Sequence, residues 1–145
     1  MHGFQIEYRP YDVICREGDP SDNMFFLKSG KLLVCVLRGT EVKVLARVGA
    51  GQFLGELAFF DGQPRSSSII VLERSVIVHL SKEDLSQNLP LWFIEIGKNI
   101  TKKIRTLDKI IQEKHLKKTS HSEDNTPLSL DDQRKIFSLI THQHD

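Results

Sequence analysis

The 145-residue chain balances 20 lysines and arginines against 19 aspartates and glutamates, and 39% of it is hydrophobic and 27% charged. That length suits one domain with its own core, and that composition excludes disordered and fibrous classes for most of the chain without requiring a disulfide or metal. A net charge of +1 gives no global electrostatic reason for a nucleic-acid or anionic-membrane partner, so either would need a local patch. No apolar run approaches a membrane span, and Met1-His2-Gly3-Phe4-Gln5 lacks the regions of a signal peptide, so the expectation is a cytoplasmic protein. Cys15 and Cys35 sit in apolar surroundings and read as buried thiols of a reducing compartment.

From Tyr8 to Leu37 short apolar runs alternate with turn signals: Asp12-Val13-Ile14-Cys15, then Glu17-Gly18-Asp19-Pro20-Ser21-Asp22, then Met24-Phe25-Phe26-Leu27, then Lys28-Ser29-Gly30. This is the punctuation of antiparallel β structure. Lys31 to Leu37 and Val42 to Val48, broken at Arg38-Gly39-Thr40, predict a hairpin. After Gly49-Ala50-Gly51 comes one interruption, and then two strands rich in Ile and Val, Ser68 to Leu72 and Ser75 to Leu80. About eight short strands between Tyr8 and Leu80 predict a rolled or sandwiched sheet.

Past Pro90 the period changes from two to about 3.6. Phe93, Ile96, Ile100, Ile104, Leu107 and Ile111 fall along one side of a helix from about Leu91 to Lys118, the last four forming a heptad seam. The seam either packs on the protein's own sheet or also pairs with a second copy; the second is preferred because it runs past any sheet it could cover. Lys98, Lys102, Lys103, Arg105 and Lys109 read as a solvated face. The polar stretch from Thr119 to Pro127 reads as a linker, and Ser129 as the N-cap of a short helix over Leu130 to Thr141 with Asp132 at its third position. The expected organisation is therefore a roll over 1–90, a long helix over 91–118, a linker over 119–128 and a helical tail over 129–145. Too few residues follow the long helix for a helix-turn-helix module.

The interruption, Phe53-Leu54-Gly55-Glu56-Leu57-Ala58-Phe59-Phe60-Asp61-Gly62-Gln63-Pro64-Arg65-Ser66-Ser67-Ser68-Ile69, reads as a ligand site. Gly51 and Gly55 allow a sharp turn and close approach, and Glu56 to Phe60 can form one helical turn. So short a helix leaves its first N–H groups unpaired at the positive end of its dipole, which suits an anion. Arg65 adds a charge-assisted, bidentate pair for a phosphate, and Glu56, an acceptor-only carboxylate, suits a sugar hydroxyl.

The stretch resembles the phosphate-binding cassette of the cyclic nucleotide-binding domain family, the β-rolls of the catabolite activator protein and protein kinase A regulatory subunits. Gly51, Gly55, Glu56, Leu57, Ala58, Pro64, Arg65 and Ile69 match it without a gap; Leu54, Phe59, Ser67 and Ser68 depart mildly. The segment Arg16 to Gly30 is similar to a second signature of the family, Glu-Gly-Asp followed by an Asp, Met-Phe-Phe and a glycine. The resemblance implies an antiparallel, jelly-roll-like β-roll, mainly β, with a short phosphate-binding helix and a long C-terminal helix.

It also implies the ligand, cAMP or else cGMP, and the residues around it. Gly55, Leu57, Ala58, Arg65, Ser66 and Ser67 would hold the phosphate, and Gly55 and Glu56 the ribose. Val34, Leu45, Ala46 and Val48 would wall the base, with Arg105, Thr106 and Asp108 reaching it from the long helix; Leu107 stands where the catabolite activator has a threonine. A homodimer through Ile100, Ile104, Leu107 and Ile111 is implied, with an effector domain or protein of unknown kind. No cofactor, metal or catalytic residue is expected: the six histidines form no metal set, as a cupin-type enzyme would require, and His79 reads as a satisfied histidine of the sheet. A ligand-independent dimerisation scaffold, or the sensing half of a transcription regulator without its DNA-binding module, are the alternatives.

Overall fold

A computed structural model describes residues 3–113 and 124–142. Six strands, β1 (Phe4–Tyr8), β2 (Val13–Cys15), β3 (Asn23–Arg38), β4 (Glu41–Gly49), β5 (Phe53–Leu54) and β6 (Ser68–Ser81), form one antiparallel sheet. Its main path runs β1-β6-β3-β4, with β2 on β6 and β5 on β3. The helices are α1 (Glu56–Asp61), α2 (Lys82–Asn88), α3 (Leu91–Glu113) and α4 (Leu130–Thr141).

Four of the short strands expected from the sequence are halves of two long ones. β3 runs through Lys28-Ser29-Gly30, and β6 runs through Glu73-Arg74-Ser75. The register between them shifts there, from Ser29↔Val76 to Lys31↔Glu73, so the pair bends without losing its ladder. Gly30 at φ 103° makes the bend; a Cβ there would lie 2.6 Å from Ser75 Cα. Ser75 Oγ accepts the Lys31 N–H at 3.2 Å, so the local disruption leaves no orphan donor at that point. The turn signal was real, but it marks a kink rather than a strand end. β1 and α2 lay outside the sequence reading; α2 is capped by Ser81 Oγ, which accepts from the Asp84 N–H at 3.1 Å.

The bent sheet has apolar residues on both faces. Inside the roll, Leu27, Leu32, Val48, Leu54, Ile69, Val71 and Ile77 form one core with Phe25 and Cys15. On the outer face Leu33, Cys35, Val42, Val44 and Ile70 form a second, completed by Ile136 and Ile140 of α4. Two-sided burial explains why Lys31 to Leu37 reads as a continuous apolar run and not an alternating one. The tail helix thus covers the sheet. Ser129 Oγ accepts from the Asp132 N–H at 3.2 Å, the N-cap expected from the sequence.

α3 packs mainly on α1, and most of its stripe stays exposed. The part of the expected long helix beyond Glu113, and linker residues 119–123, lie outside the described residues, as do His2, His115, His121 and His144. Among the described residues no helix is long and apolar enough to cross a membrane.

Candidate ligand site

Gly55 takes the left-handed conformation (φ 77°, ψ 15°) as N-cap of α1, and with no side chain it offers the helix no cap. The first N–H groups of α1 therefore have no intrahelical acceptor. Gly62, also left-handed at φ 66°, closes the helix after six residues through its N–H to Ala58 O at 2.9 Å. Ala58 and Phe59 anchor this turn by burial, while Glu56 is exposed and Leu57 half-buried.

Arg65 enters beneath this helix end. Its backbone is clamped to the loop that carries the second sequence signature: the Arg65 N–H donates to Asp19 O, and Arg65 O accepts from the Gly18 N–H, both at 2.8 Å. The side chain is 7% exposed. Nη2 donates to the Asn23 carbonyl at 2.5 Å, and Cζ lies 4.7 Å from the centroid of the Phe25 ring. Nη1 is buried with no hydrogen-bond partner, and it lies against Gly55, where any Cβ would overlap it. Burial pulls the Arg65 pKa below its ordinary value, opposed by the nearby Asp22 and Asp19 carboxylates.

A buried guanidinium N–H with no acceptor costs about 1–3 kcal/mol unless a water or a ligand supplies one. Here it points at the backbone of a glycine that opens an uncapped helix. That is an arrangement that gains free energy by taking up an anion. Glu56 makes no ion pair with Arg65 among the described residues, so the pair does not neutralise itself. Ser66 is exposed and Ser67 half-buried beyond the arginine, and the buried Ser68 Oγ accepts the Glu17 N–H at 3.0 Å.

The apolar wall follows from the sheet register. Val34 pairs with Ala46 and Ile69, and Val34 and Ala46 pack, partly buried, on the interior core that contains Val48, Leu54 and Phe25. The register then jumps to Cys35↔Val44, leaving Leu45 as the extra residue of a bulge, 37% exposed. Phe25 under Arg65 belongs to the same core, so the arginine stands at the rim of the roll interior.

Arg105 Nε bonds Asp61 Oδ2, at the C-terminal end of α1, at 2.9 Å; Thr106 Oγ1 bonds back to Lys102 O at 2.9 Å; Asp108 is half-buried. Among the described residues, no hydrogen bond or ion pair joins Arg105 or Thr106 to the wall of Val34, Ala46 and Val48. Between α1 and α3 lies an open apolar groove of about 240 Å³, lined by Leu57, Phe60, Phe93, Ile96, Ile100 and Ile104. Sequence reasoning missed Asn23, whose contribution is a backbone carbonyl and leaves no side-chain signal. Phe25 was within the second signature and could have been found there.

His79 is buried, its Nε2 2.8 Å from the Tyr8 hydroxyl and its ring stacked 5.0 Å from Phe4 and edge-on to Phe25. Burial, and then the Arg65 charge, hold its pKa below the ordinary value. It is a satisfied core histidine, and no cluster able to hold a metal occurs among the described residues. The two cysteines are free, and burial pushes Cys15 up to about 11 and Cys35 up to about 12.

A profile of the cyclic nucleotide-binding domain family matches residues 5–89. The chain belongs to that family. It is 37% identical over 82 residues to a cGMP-dependent protein kinase of Eimeria tenella, covering 57% of this chain and 8% of the kinase. It is 32% identical over 113 residues to the cyclic nucleotide-gated channel alpha-4 of Mus musculus, covering 70% of this chain and 19% of the channel. The chain thus spans less than a fifth of either relative. Among solved structures it resembles the cAMP-bound form of the EAL enzyme Bd1971 at a TM-score of 0.63 and 24% identity, over 78% of this chain and 32% of that one, a likeness of fold.

Proposed function

We propose that the chain is a non-catalytic sensor of a cyclic mononucleotide, cAMP with cGMP as the alternative, that needs no cofactor. The observation that carries this is Arg65 Nη1, buried and unpartnered against the αL backbone of Gly55. The cyclic phosphate would lie on the N–H groups of Gly55, Leu57 and Ala58, on Arg65, and on Ser66 and Ser67. Glu56, with Gly55, would accept the ribose 2′-hydroxyl. Val34, Leu45, Ala46 and Val48 would wall the base. Arg105, Thr106 and Asp108 would reach it only after α3 leaves the ion pair with Asp61, which makes α3 the moving element. Relatives named as cGMP-dependent kinases, and fold neighbours solved in both cAMP-bound and cGMP-bound forms, support the ligand class.

The exposed stripe of Ile100, Ile104, Leu107 and the half-buried Ile111 supports a homodimer along α3, and the buried free thiols suit a reducing, cytoplasmic setting. The same stripe supports the second reading, a dimerisation scaffold indifferent to nucleotide.

Calorimetric titration with cAMP and cGMP, with 5′-AMP as control, separates the two. The expected outcome is saturable binding of one cyclic nucleotide, weakened by about 2–5 kcal/mol in Arg65→Ala, the scale of breaking a buried charged pair. Glu56→Ala should lose about 1.5 kcal/mol, the low end for a hydrogen bond to a charged group, because the carboxylate is exposed. No heat and no thermal stabilisation with any nucleotide would leave the scaffold reading.

A further inference from the structure

Hydrogen bonds tie the segment 124–142 to the roll at both of its ends, and each tie lies beside residues that the ligand reading uses. At its start, the Arg47 N–H donates to Asp124 O at 3.0 Å, and Arg47 Nη1 donates to Thr126 O at 2.8 Å. Arg47 lies on β4 between Ala46 and Val48, two of the wall residues. At its end, Arg16 Nε donates to Ile140 O at 3.2 Å and Nη2 to Leu139 O at 3.3 Å. Those carbonyls are at the last turn of α4, where helix acceptors are left over and the dipole is negative, so the Arg16 guanidinium caps the helix from another part of the chain.

Arg16 is also tied to Arg65. The Arg16 N–H donates to Asp19 Oδ2 at 2.8 Å and the Asp19 N–H donates back to Arg16 O at 3.0 Å, which closes a tight turn. The backbone of that same turn clamps Arg65, through Asp19 O and the Gly18 N–H. The helix cap and the clamp on the buried arginine therefore share one four-residue turn, Arg16 to Asp19. Between the two attachments Ile136 and Ile140 fill the outer core, and Lys135 Nζ lies 3.5 Å from the Tyr11 ring centroid.

We propose that this segment is a strap whose docking through α4 is coupled to nucleotide occupancy, with Arg16 as the positioning residue that joins them; this rests on the ligand reading above. With α4 docked, Arg16 is held by two carbonyls and its turn holds the backbone of Arg65 in place, so the ligand meets a site already ordered. With α4 released, Arg16 loses both acceptors and the turn loses its outer anchor. The ligand then has to order the site itself, and its affinity falls. Coupling of this kind is reciprocal, so nucleotide must tighten α4 by the same factor by which α4 tightens nucleotide.

The test uses the full chain and whichever of cAMP or cGMP it binds. Hydrogen exchange of the α4 amides is expected to slow on addition of nucleotide. Arg16→Ala should weaken nucleotide about 5-fold or more, the lower end of ordinary allosteric coupling, and abolish the slowing. Ile136→Ser, which loosens α4 from the sheet side without touching the turn, should weaken nucleotide to a similar extent. Arg38→Ala removes the exposed pair with Glu17 and a bond to the neighbouring Leu37 carbonyl, leaves the Arg16 cap intact, and should change neither reading. Exchange of α4 indifferent to nucleotide, or intact affinity in both Arg16→Ala and Ile136→Ser, overturns the coupling while leaving the ligand site standing. Absence of any cyclic nucleotide binding by the intact chain overturns the ligand reading, and the coupling with it.

Discussion

α3 and α4 carry the same kind of apolar stripe and end in opposite situations. α4 is 12 residues long, about 18 Å, and lays its stripe across the outer face of the sheet, where Ile136 is 1% exposed. Both of its ends are satisfied, by Ser129 at the start and by Arg16 at the finish. α3 is 23 residues long, about 35 Å, and meets the roll through the six-residue α1. It cannot cover its stripe on so small a partner, and Ile100 and Leu107 remain 52% and 59% exposed. Periodicity reports that a stripe exists; what lies against it is decided by length and by the surface available.

Breaking the buried stripe should have the largest effect. Ile136→Ala removes a fully buried side chain wedged among Leu33, Cys35, Val42, Val44 and Ile70, and urea unfolding should show a loss of about 2–5 kcal/mol. A loss below 1 kcal/mol would mean that α4 only rests on the roll. At the α1–α3 contact the expected effect is smaller, and two terms oppose each other. Gly97→Ala gains about 1 kcal/mol of helix propensity, but its Cβ would fall on the Phe60 ring, with overpacking of about 1–3 kcal/mol. A net loss of about 1 kcal/mol is expected in the same urea experiment. A net gain would show that α3 sits loosely on α1.

The contrast also marks what the sequence could show. The roll, the β3–β4 hairpin, the short α1 and the Ser129 cap were legible because each rests on local signals: alternation, Gly39 at φ 65° in the hairpin turn, Gly55 before a helical run, a serine three residues before Asp132. The continuity of β3 and β6 was not, because Gly30 reads as a strand end unless its neighbour Ser75 is known to be waiting across the ladder. In the site, Gly55 and Arg65 were legible as a spacing. The clamp of Arg65 by Gly18 and Asp19, the Asn23 carbonyl beneath it and the docking of α4 through Arg16 are contacts between residues 42 or more apart, made largely by backbone atoms that carry no residue-type signal. Arg105 was expected near the base from its position along a helix; its ion pair with the Asp61 carboxylate, 44 residues away in the chain, is a contact that helix position does not report.

The exposed stripe gives the smallest effect on the folded monomer and the clearest effect on assembly. Ile100→Ser with Leu107→Ser removes apolar groups that are already half in water, so monomer stability should stay within about 0.5 kcal/mol for each change, read at protein concentrations low enough that association contributes nothing. Sedimentation at higher concentration should differ: the intact chain as a dimer, the double variant as a monomer. The logic is that of a heptad seam, where four residues on one side of a helix bury little against their own chain and much against a copy of themselves. A monomeric intact chain would remove the dimer and the scaffold reading together, and would leave the stripe to a partner of different chemistry. A stability loss as large as that of Ile136→Ala would instead mean that α3 hides its stripe on the roll in solution, and the two helices would then be alike.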